Sequence, residues 1–191
     1  MSGIRDALWQ ASQHLLAPGG ESVIRKLVLD WVAGHPGSGR RLDVGCGPKS
    51  MLAKAGLDPI GVDLHPGWGT AAASAVHLPF ASASFHSVWS FGLFHHLSDL
   101  DMEAALREMV RVAEPRGYII VFDAVLPEEI RPLARLVRWL DRGSYLRRQQ
   151  QFERLLAPHG DWSVQRITYS LTGLELLLAW TLVSNNQALP H

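Results

Sequence analysis

Residues Arg40–Ser50 read Arg-Arg-Leu-Asp-Val-Gly-Cys-Gly-Pro-Lys-Ser, and this stretch decides the fold. Leu42–Val44 predicts a short buried strand, and the glycines after it predict a tight turn into a helix. Gly45 and Gly47 have no Cβ, so the chain can adopt a positive φ and a ligand can approach the backbone closely. Pro48 suits the first helical position, where its missing N–H is not needed. A strand, a glycine turn and a helix in this order indicate a cradle for a nucleotide or cofactor.

Composition indicates one domain of balanced charge. The 191 residues are 47% hydrophobic and include seven tryptophans, enough for one substantial core but cramped for two domains. Basic and acidic residues number 18 each, so net charge gives no reason to expect a nucleic-acid partner. The single cysteine, Cys46, favours a reduced, cytoplasmic setting. Residues 1–16 lack a signal-peptide core, and the apolar run Leu174–Val183 is about half of what a membrane-spanning helix needs, so we predict a soluble protein.

Strand and helix patterns alternate through the centre of the chain. After the first strand, strands are predicted at Pro59–Leu64, Ser74–His77, Ser84–Phe91, Tyr118–Asp123, Trp162–Ser170 and Leu174–Val183. Helices are predicted at Ile4–Leu16, Glu21–Ala33, Lys49–Ala55, Thr70–Ala73, Asp99–Val112, Pro127–Arg142 and Tyr145–Leu156. The alternation predicts an α/β fold with a doubly wound, mostly parallel seven-stranded sheet, to which the C-terminal hairpin adds an antiparallel strand.

The same patterns divide a single domain, residues 1–191, into four functional parts. We predict N-terminal helices in 1–36, a cofactor-binding core in 40–123, a helical substrate-side segment in 127–158 and a closing strand pair in 162–183.

A second carboxylate, Asp63, ends the second predicted strand, 20 residues after Asp43. A carboxylate there can accept hydrogen bonds from both ribose hydroxyls of an adenosine-containing cofactor, and NAD or S-adenosylmethionine (SAM) would both use it. A dinucleotide fingerprint would have a third glycine at residue 50, which is serine here. A phosphate-binding P-loop has the pattern Gly-x-x-x-x-Gly-Lys-Ser/Thr. Lys49-Ser50 matches its last two residues, but the glycines that precede this pair are not at the positions that the pattern requires.

Five motifs in order resemble class I SAM-dependent methyltransferases, in particular the small enzymes similar to ubiquinone and menaquinone biosynthesis methyltransferases. They are Leu42-Asp43-Val44-Gly45-Cys46-Gly47, Gly61-Val62-Asp63, Leu78-Pro79-Phe80 with Ser84–Val88, Phe94–Asp99, and Arg107–Val112 with Glu114–Gly117. The resemblance covers residues 40–123 and implies a Rossmann-like seven-stranded sheet with SAM as cofactor and S-adenosylhomocysteine (SAH) as product. It also implies that Asp43 orients the methionine amino group and that Asp63 binds the ribose.

The resemblance implies further site residues. Cofactor contacts are expected at Asp43, Gly45, Cys46, Gly47, Lys49, Asp63, Leu64, Ser74, Ala75 and Phe91, and acceptor contacts at Leu93 and Phe94. Two positions depart from the family. Lys49 replaces a frequent third glycine and would reach the cofactor carboxylate, and Ser74 stands near the place of an acid that holds the adenine amino group. Trp68 is a candidate to stack on the adenine, with packing at the surface or in the core as the favoured alternative.

Two neighbouring histidines and one arginine-rich helix are the remaining candidates for function. His95 or His96 could act as a general base for a hydroxyl or amine acceptor, although packing and helix capping are the alternative roles. Within the helix predicted at 127–142, four arginines fall on one face, Arg131, Arg135, Arg138 and Arg142. Arg135 and Arg138 would contact an anionic acceptor, or the Arg131–Arg142 face would contact an anionic membrane surface; a solvated helix face is the alternative.

The sequence therefore predicts methyl transfer from SAM to a small-molecule or lipid-linked acceptor. A non-catalytic binder of SAM or a similar cofactor remains an alternative, as does a nucleotide-dependent oxidoreductase. No metal site is predicted, because the histidines do not stand at zinc-ligand spacings with cysteines. The oligomeric state is not indicated.

Overall fold

The computed structural model describes residues 20–35, 37–126, 145–168 and 175–184, in which one mixed sheet carries helices on both faces. The helices predicted at Ile4–Leu16 and Pro127–Arg142 lie outside the described residues.

The sheet has seven strands in the described part of the chain. They are β1 Arg41–Val44, β2 Ile60–Asp63, β3 Ala71–Ala72, β4 Phe85–Phe91, β5 Ala113–Val125, β6 Ser163–Thr168 and β7 Glu175–Leu182. The helices are α1 Gly20–Gly34, α2 Met51–Lys54, α3 Asp99–Val112 and α4 Gln149–Leu156, with short 3-10 turns at Phe94–His96 and Ala157–His159.

The strand order is β3-β2-β1-β4-β5-β7-β6. Strands β1 to β5 pair in parallel, whereas β7 lies antiparallel between β5 and β6. The predicted doubly wound sheet with an antiparallel C-terminal hairpin strand is therefore confirmed. The strand order reverses between β1 and β4, and in such sheets a ligand binds at the carboxyl ends of the strands beside this switch point.

Hydrophobic residues fill both faces of the sheet. On one face, α3 and α4 bury Leu106, Met109 and Phe152 against the strands. On the other face, α1 and the single turn of α2 bury Trp31 and Leu52. Alternate residues of β5 point to opposite faces, as a strand buried on both sides requires. The two cores fix the strand ends on which the site is built.

The third strand differs from its prediction. A helix at Thr70–Ala73 and a strand at Ser74–His77 were expected, but β3 is the pair Ala71–Ala72, and Ser74 makes only an isolated antiparallel bridge with His77. The N–H of Thr70 donates to the carbonyl of Gly61, 2.7 Å away. Its hydroxyl accepts from the N–H of Gly61 at 3.2 Å. These contacts with the β2 edge hold the small residues extended, so the predicted helix is wrong.

Three boundaries also shift for local reasons. Pro48 is not the first helical residue, because Ser50 caps α2 by accepting from the N–H of Ala53, 3.3 Å away, and the helix begins at Met51. Strand β5 starts earlier than Tyr118, across a bulge in which Arg116 has φ 64°. The last helix starts at Gln149 rather than Tyr145. Before it, the chain is extended where Arg147 bridges β5.

Candidate active site

A cavity of about 500 Å³ opens at the carboxyl ends of β1, β2 and β4. This volume lies within the usual range for pockets that enclose a cofactor-sized ligand. The described residues that line it are Asp43, Gly45, Cys46, Gly47, Met51, Asp63, Leu64, Trp68, Ala73, Ser74, Ala75, Val76, Phe91, Gly92, Leu93, His96 and Leu97. None of these is lysine or arginine, whereas two are aspartates.

Asp43 is a buried carboxyl group with an unused acceptor. Its side chain is fully buried, and its Oδ2 accepts a hydrogen bond from the hydroxyl of Ser50. Its Oδ1 is buried without a hydrogen-bond partner. Burial raises the pKa of Asp43 to about 7, the hydrogen bond from Ser50 lowers it, and the charge of Asp63 raises it. A cationic group in the cavity would compensate the burial of this carboxylate.

Asp63, the last residue of β2, connects the two strand ends. Its Oδ2 accepts from the N–H of Gly47 and its Oδ1 accepts from the N–H of His65, each at 2.9 Å. A carboxylate oxygen can accept more than one hydrogen bond, so both oxygens keep capacity for a ligand. Asp63 therefore holds the glycine turn and can also bind a pair of hydroxyl groups.

The glycine turn brings the backbone close to the cavity. Gly45 has φ 71° and Gly47 has φ 63°, conformations that favour glycine. The N–H groups of Gly45 and Cys46 both donate to the carbonyl of Val62 at 2.8 and 3.0 Å. A Cβ on Gly45 would lie 2.9 Å from the side chain of Leu93, whereas a Cβ on Gly47 would meet nothing within 4 Å. The turn thus leaves open space beside Gly47.

The wall beyond Asp63 is apolar and aromatic. Trp68 stacks on His65 with ring centroids 4.4 Å apart, and Leu64 is 76% exposed at the rim. Ser74 and Ala75 continue this wall. A flat aromatic base fits such a surface because it can stack on Trp68 and cover the apolar side chains.

Comparison with known proteins shows which family this site resembles. A family model described as "Methyltransferase domain" matches residues 42–121, which include β1, β2, β4, α3 and most of β5. Over residues 42–121 the chain is similar to the class I SAM-dependent methyltransferases. This confirms the resemblance found in the sequence.

Individual relatives agree with this assignment. The chain is 33% identical over 134 residues to the methyltransferase GfsG of Streptomyces halstedii, an alignment that covers 58% of this chain and 46% of GfsG. The chain therefore spans about half the length of this curated relative. A Burkholderia thailandensis 1,6-didemethyltoxoflavin-N1-methyltransferase with bound substrate and SAH superposes with a TM-score of 0.66 and 18% identity, covering 95% of this chain and 88% of that one.

The fold is also found in a protein named for another reaction. The cyclase SpnF superposes with a TM-score of 0.62 and 16% identity, covering 84% of this chain and 81% of SpnF. At these identities the structural matches establish the fold of the methyltransferase domain and nothing finer.

Most predicted cofactor contacts of the methyltransferase domain lie on the cavity. The wall includes the predicted residues Asp43, Gly45, Cys46, Gly47, Asp63, Leu64, Ser74, Ala75 and Phe91, and also Leu93, His96 and Trp68. Lys49 is exposed and does not line the cavity, because α2 begins only after Ser50. Phe94 is fully buried and packs edge-on against Phe152 of α4, so it belongs to the core and not to the cavity wall. Arg135 and Arg138 lie outside the described residues.

The two histidines have different surroundings. His96 lines the cavity, whereas His95 lies behind it with its side chain 12% exposed. The two rings are in contact, with centroids 4.1 Å apart. His95 Nδ1 is 2.6 Å from Oδ1 of Asp123, a buried carboxylate near the end of β5.

Arg147 fixes the turn Phe94–Leu97, which carries both histidines and is called the histidine turn below. Its Nη1 donates to the carbonyl of Phe94 at 2.8 Å and its Nη2 to the carbonyl of Leu97 at 2.7 Å. The N–H of Tyr145 donates to the carbonyl of His95 at 3.0 Å. The segment that enters α4 therefore donates hydrogen bonds to the carbonyl groups of this turn, although it lies beyond residues 42–121, which match the methyltransferase family.

Sequence reasoning missed several site residues. Met51, Ala73, Val76 and Gly92 line the cavity without having been assigned to it. Asp123 carried a usable signal, since it ends the fifth predicted strand as Asp63 ends the second. Arg147 carried none, because its partners are distant in the sequence.

Two features are absent from the part of the chain that the structure describes. No group of three or more histidine, cysteine, aspartate or glutamate side chains among these residues is arranged to hold a metal ion. Within the same residues, no helix has the length and apolar character needed to cross a membrane.

Proposed function

We propose that this protein transfers the methyl group of SAM to a small-molecule acceptor and releases SAH. One observation carries the proposal: two carboxylates on neighbouring strand ends, Asp43 and Asp63, face one cavity with a glycine turn between them. Asp43 would accept from the methionine ammonium group through its unpartnered Oδ1, and Asp63 would accept from the ribose hydroxyls.

The charge of the cavity supports SAM over a dinucleotide. SAM brings a sulfonium and an ammonium group, both positive, to a wall with two aspartates and, among its described residues, no lysine or arginine. A pyrophosphate would meet like charge there. The missing third glycine at Ser50 also opposes the nucleotide-dependent oxidoreductase. Trp68, Leu64 and Ala75 provide the apolar surface on which the adenine would lie.

The acceptor would enter beside Leu93, His96 and Leu97, at the part of the cavity formed by the end of β4 and the turn after it. Bound SAM supplies an activated methyl group, so the main tasks of the protein are to align the acceptor and to exclude water. The apolar side chains of Leu93 and Leu97 suit the second task. The Burkholderia thailandensis methyltransferase, whose fold matches 95% of this chain, has the small molecule 1,6-didemethyltoxoflavin bound beside SAH.

The non-catalytic alternative is distinguished by turnover. A binder without activity would bind SAM and SAH but would form no SAH with any acceptor. A lipid-linked acceptor would instead require anionic vesicles, which the helix predicted at Arg131–Arg142 would contact.

Ligand binding and turnover together test the proposal. We expect SAH to raise the melting temperature of the full chain and NAD to leave it unchanged. Asp63→Ala should weaken SAH binding at least tenfold, because two ribose hydrogen bonds to a charged group are lost. Asp58→Ala is the matched control. Asp58 is exposed and precedes β2, at the opposite end of that strand from Asp63 and the cavity. No shift with SAH would contradict the proposal.

Acceptor class is then determined with a panel of small phenols, alcohols, amines and heteroaromatic compounds, with SAH release as the readout. SAH formation from soluble compounds supports the small-molecule acceptor. Formation only with acceptors carried in anionic vesicles would assign a lipid-linked acceptor, and SAH binding without any turnover would assign the non-catalytic role.

A further inference from the structure

We propose that the cofactor site recognises the purine of SAM by stacking on Trp68 and does not select its exocyclic amino group, because Ser74 supplies a hydroxyl where selection would need a carboxylate. This inference rests on the proposed function. It concerns the cavity wall beyond Asp63, called the purine wall below, whose described residues are Leu64, Trp68, Ala73, Ser74, Ala75 and Val76. None of these residues is charged, and only Ser74 has a side-chain oxygen.

The ring of Trp68 is held in place before any ligand binds. It stacks on the imidazole ring of His65, with centroids 4.4 Å apart and planes inclined by 21°. The N–H of Trp68 donates to the carbonyl of His65 at 3.2 Å, and the N–H of His65 donates to Oδ1 of Asp63 at 2.9 Å. The carboxylate that would bind the ribose therefore also positions the ring on which the purine would stack.

The loop that carries Trp68 is also fixed on β2 at its far end. The N–H of Thr70 donates to the carbonyl of Gly61 at 2.7 Å, and its hydroxyl accepts from the N–H of Gly61 at 3.2 Å. Gly69 has φ 66° and packs so closely that a Cβ on it would lie 2.6 Å from Cys46 Sγ. The aromatic surface is therefore preorganised, and little conformational entropy is lost when a purine stacks on it.

The hydroxyl of Ser74 is suited to more than one substituent on the purine. A serine hydroxyl can donate or accept, and it rotates to suit its partner, whereas an ionised carboxylate only accepts. Ser74 is half-buried, so its hydroxyl can bind water when a ligand offers no partner. Its carbonyl already accepts from the N–H of His77 at 3.0 Å. The side chain of Ser74 therefore imposes no requirement for an amino group.

Selection is instead concentrated at Asp43, on β1. This side chain is fully buried, and its Oδ1 has no hydrogen-bond partner. A site rejects a ligand strongly when binding leaves a buried polar group without a partner. The described residues of the purine wall contain no such side-chain atom. We therefore expect strict recognition of the amino acid portion of the cofactor and loose recognition of its purine.

Calorimetric titration of the full chain with three ligands tests this specificity. They are SAH, its deamino analogue, in which hydrogen replaces the exocyclic amino group of the purine, and S-ribosylhomocysteine, which has no purine. We expect the Kd of the deamino analogue to lie within about threefold of that of SAH. S-ribosylhomocysteine should bind at least about tenfold more weakly than SAH, because stacking is lost.

Each outcome of this titration bears on one of the two proposals. A deamino analogue that binds about tenfold or more weakly than SAH would overturn the loose purine specificity, because the site then selects the amino group. Equal binding of S-ribosylhomocysteine and SAH would overturn the stacking on Trp68. If SAH itself does not bind, the proposed function is contradicted.

Two substitutions in the purine wall separate the roles of Ser74 and Trp68. Ser74→Asp should create a preference of about tenfold or more for SAH over the deamino analogue, because the new carboxylate accepts from the amino group. Ser82→Asp is the matched control, since Ser82 is exposed and does not line the cavity, and it should leave the ratio of the two Kd values unchanged. A ratio that is also unchanged in Ser74→Asp would contradict the role of Ser74.

Trp68→Leu should weaken SAH and the deamino analogue by the same factor, about tenfold, because both purines stack on the same ring. The Kd of S-ribosylhomocysteine should stay within about twofold, since this ligand has no group to stack. Unequal losses for the two purine ligands would contradict recognition by stacking alone. An equal loss for all three ligands would show that Trp68 supports the fold of the site and does not bind the purine.

Discussion

The guanidinium group of Arg147 binds the carboxylate of Asp99, 48 residues earlier in the chain, with Nη2 2.7 Å from Oδ1. Arg147 is 3% exposed, and its other donors bind backbone carbonyl groups of the histidine turn and of Tyr145. One buried side chain thus joins α3, the histidine turn and the segment that enters α4. Planar guanidinium geometry is needed to reach all of these acceptors at once.

Replacement of Arg147 should therefore be costly even by another cation. We expect Arg147→Lys to lower the free energy of unfolding by about 2–4 kcal/mol, because an ammonium group cannot serve the carbonyl groups of both Phe94 and Leu97. Urea unfolding followed by tryptophan fluorescence measures this. The control is Arg148→Lys, since Arg148 is exposed, and it should change the free energy by less than about 0.5 kcal/mol. Equal effects of the two substitutions would contradict the role given to Arg147.

Gly69 should tolerate no side chain. It has φ 66°, and a Cβ would lie 2.6 Å from both Cys46 Sγ and the carbonyl oxygen of Gly61. We expect Gly69→Ala to lower the free energy of unfolding by about 2–4 kcal/mol through backbone strain and overpacking together. Gly67→Ala separates the two causes, because Gly67 has φ 90° but a Cβ there meets nothing within 4 Å. It should cost only about 1 kcal/mol.

Glu108 and Arg111 of α3 hold the segment that leads away from the cavity wall. Glu108 Oε2 accepts from the N–H of Leu78 at 2.7 Å, and Arg111 donates to the carbonyl groups of Leu78 and Phe80. The hydrogen bond from Arg111 lowers the pKa of Glu108. A lowered folded-state pKa means that the stabilisation is present at neutral pH and is lost as the pH falls below the ordinary range of a glutamate.

Glu108→Gln should accordingly destabilise the protein by about 1–2 kcal/mol at pH 7 and by less at pH 4. Chemical unfolding at the two pH values measures the difference. Glu103→Gln, the same change of charge one turn earlier on α3, has no hydrogen bond to this segment and should be near neutral at both. A loss that is independent of pH would show that the ion pair is not its cause.

The sequence allowed prediction of the elements whose signals are local. Periodic apolar residues identified β1, β4, α1 and α3, and the acid at the end of β2 identified Asp63, because both patterns come from neighbouring residues. Strand β3 was misplaced because two alanines have no strand signal of their own, and the edge of β2 decides their conformation. The side chain of Phe94 was assigned to the cavity because a turn residue next to Leu93 has no pattern that distinguishes core from wall.

Contacts between residues that are distant in the sequence could not be predicted from local sequence patterns. Asp123 and His95 are 28 residues apart, and the partners of Arg147 in the histidine turn, the carbonyl groups of Phe94 and Leu97, are about 50 residues away. Only the pairing of β4 with β5 and the return of the chain before α4 bring them together. Nothing in the residues next to Arg147 indicates that it is buried, whereas the structure surrounds it with carbonyl groups.

The buried carboxyl group of Asp43 should make cofactor binding depend on pH. With a pKa of about 7, the carboxyl group of Asp43 is mostly protonated below pH 7 in the empty site. Because this pKa is raised, the free energy of unfolding falls as the pH rises from about 4 to 7, by at most about 4 kcal/mol. Asp43→Asn removes this cost, so it should stabilise the empty protein at pH 8 and have much less effect at pH 5. Thermal melting at both pH values measures the difference.

The affinity for SAH should rise with pH, whereas the stability of the empty protein falls with pH. An ammonium group binds the ionised form of Asp43, so the Kd for SAH should rise up to about tenfold from pH 8 to pH 6. Ser50→Ala removes the hydrogen bond that lowers the pKa of Asp43, and it should move this dependence to higher pH. Asp43→Asn should bind weakly and without the dependence. Calorimetric titration of SAH measures all three, and an affinity of the unaltered protein that is constant from pH 6 to pH 8 would show that the ligand does not require the carboxylate.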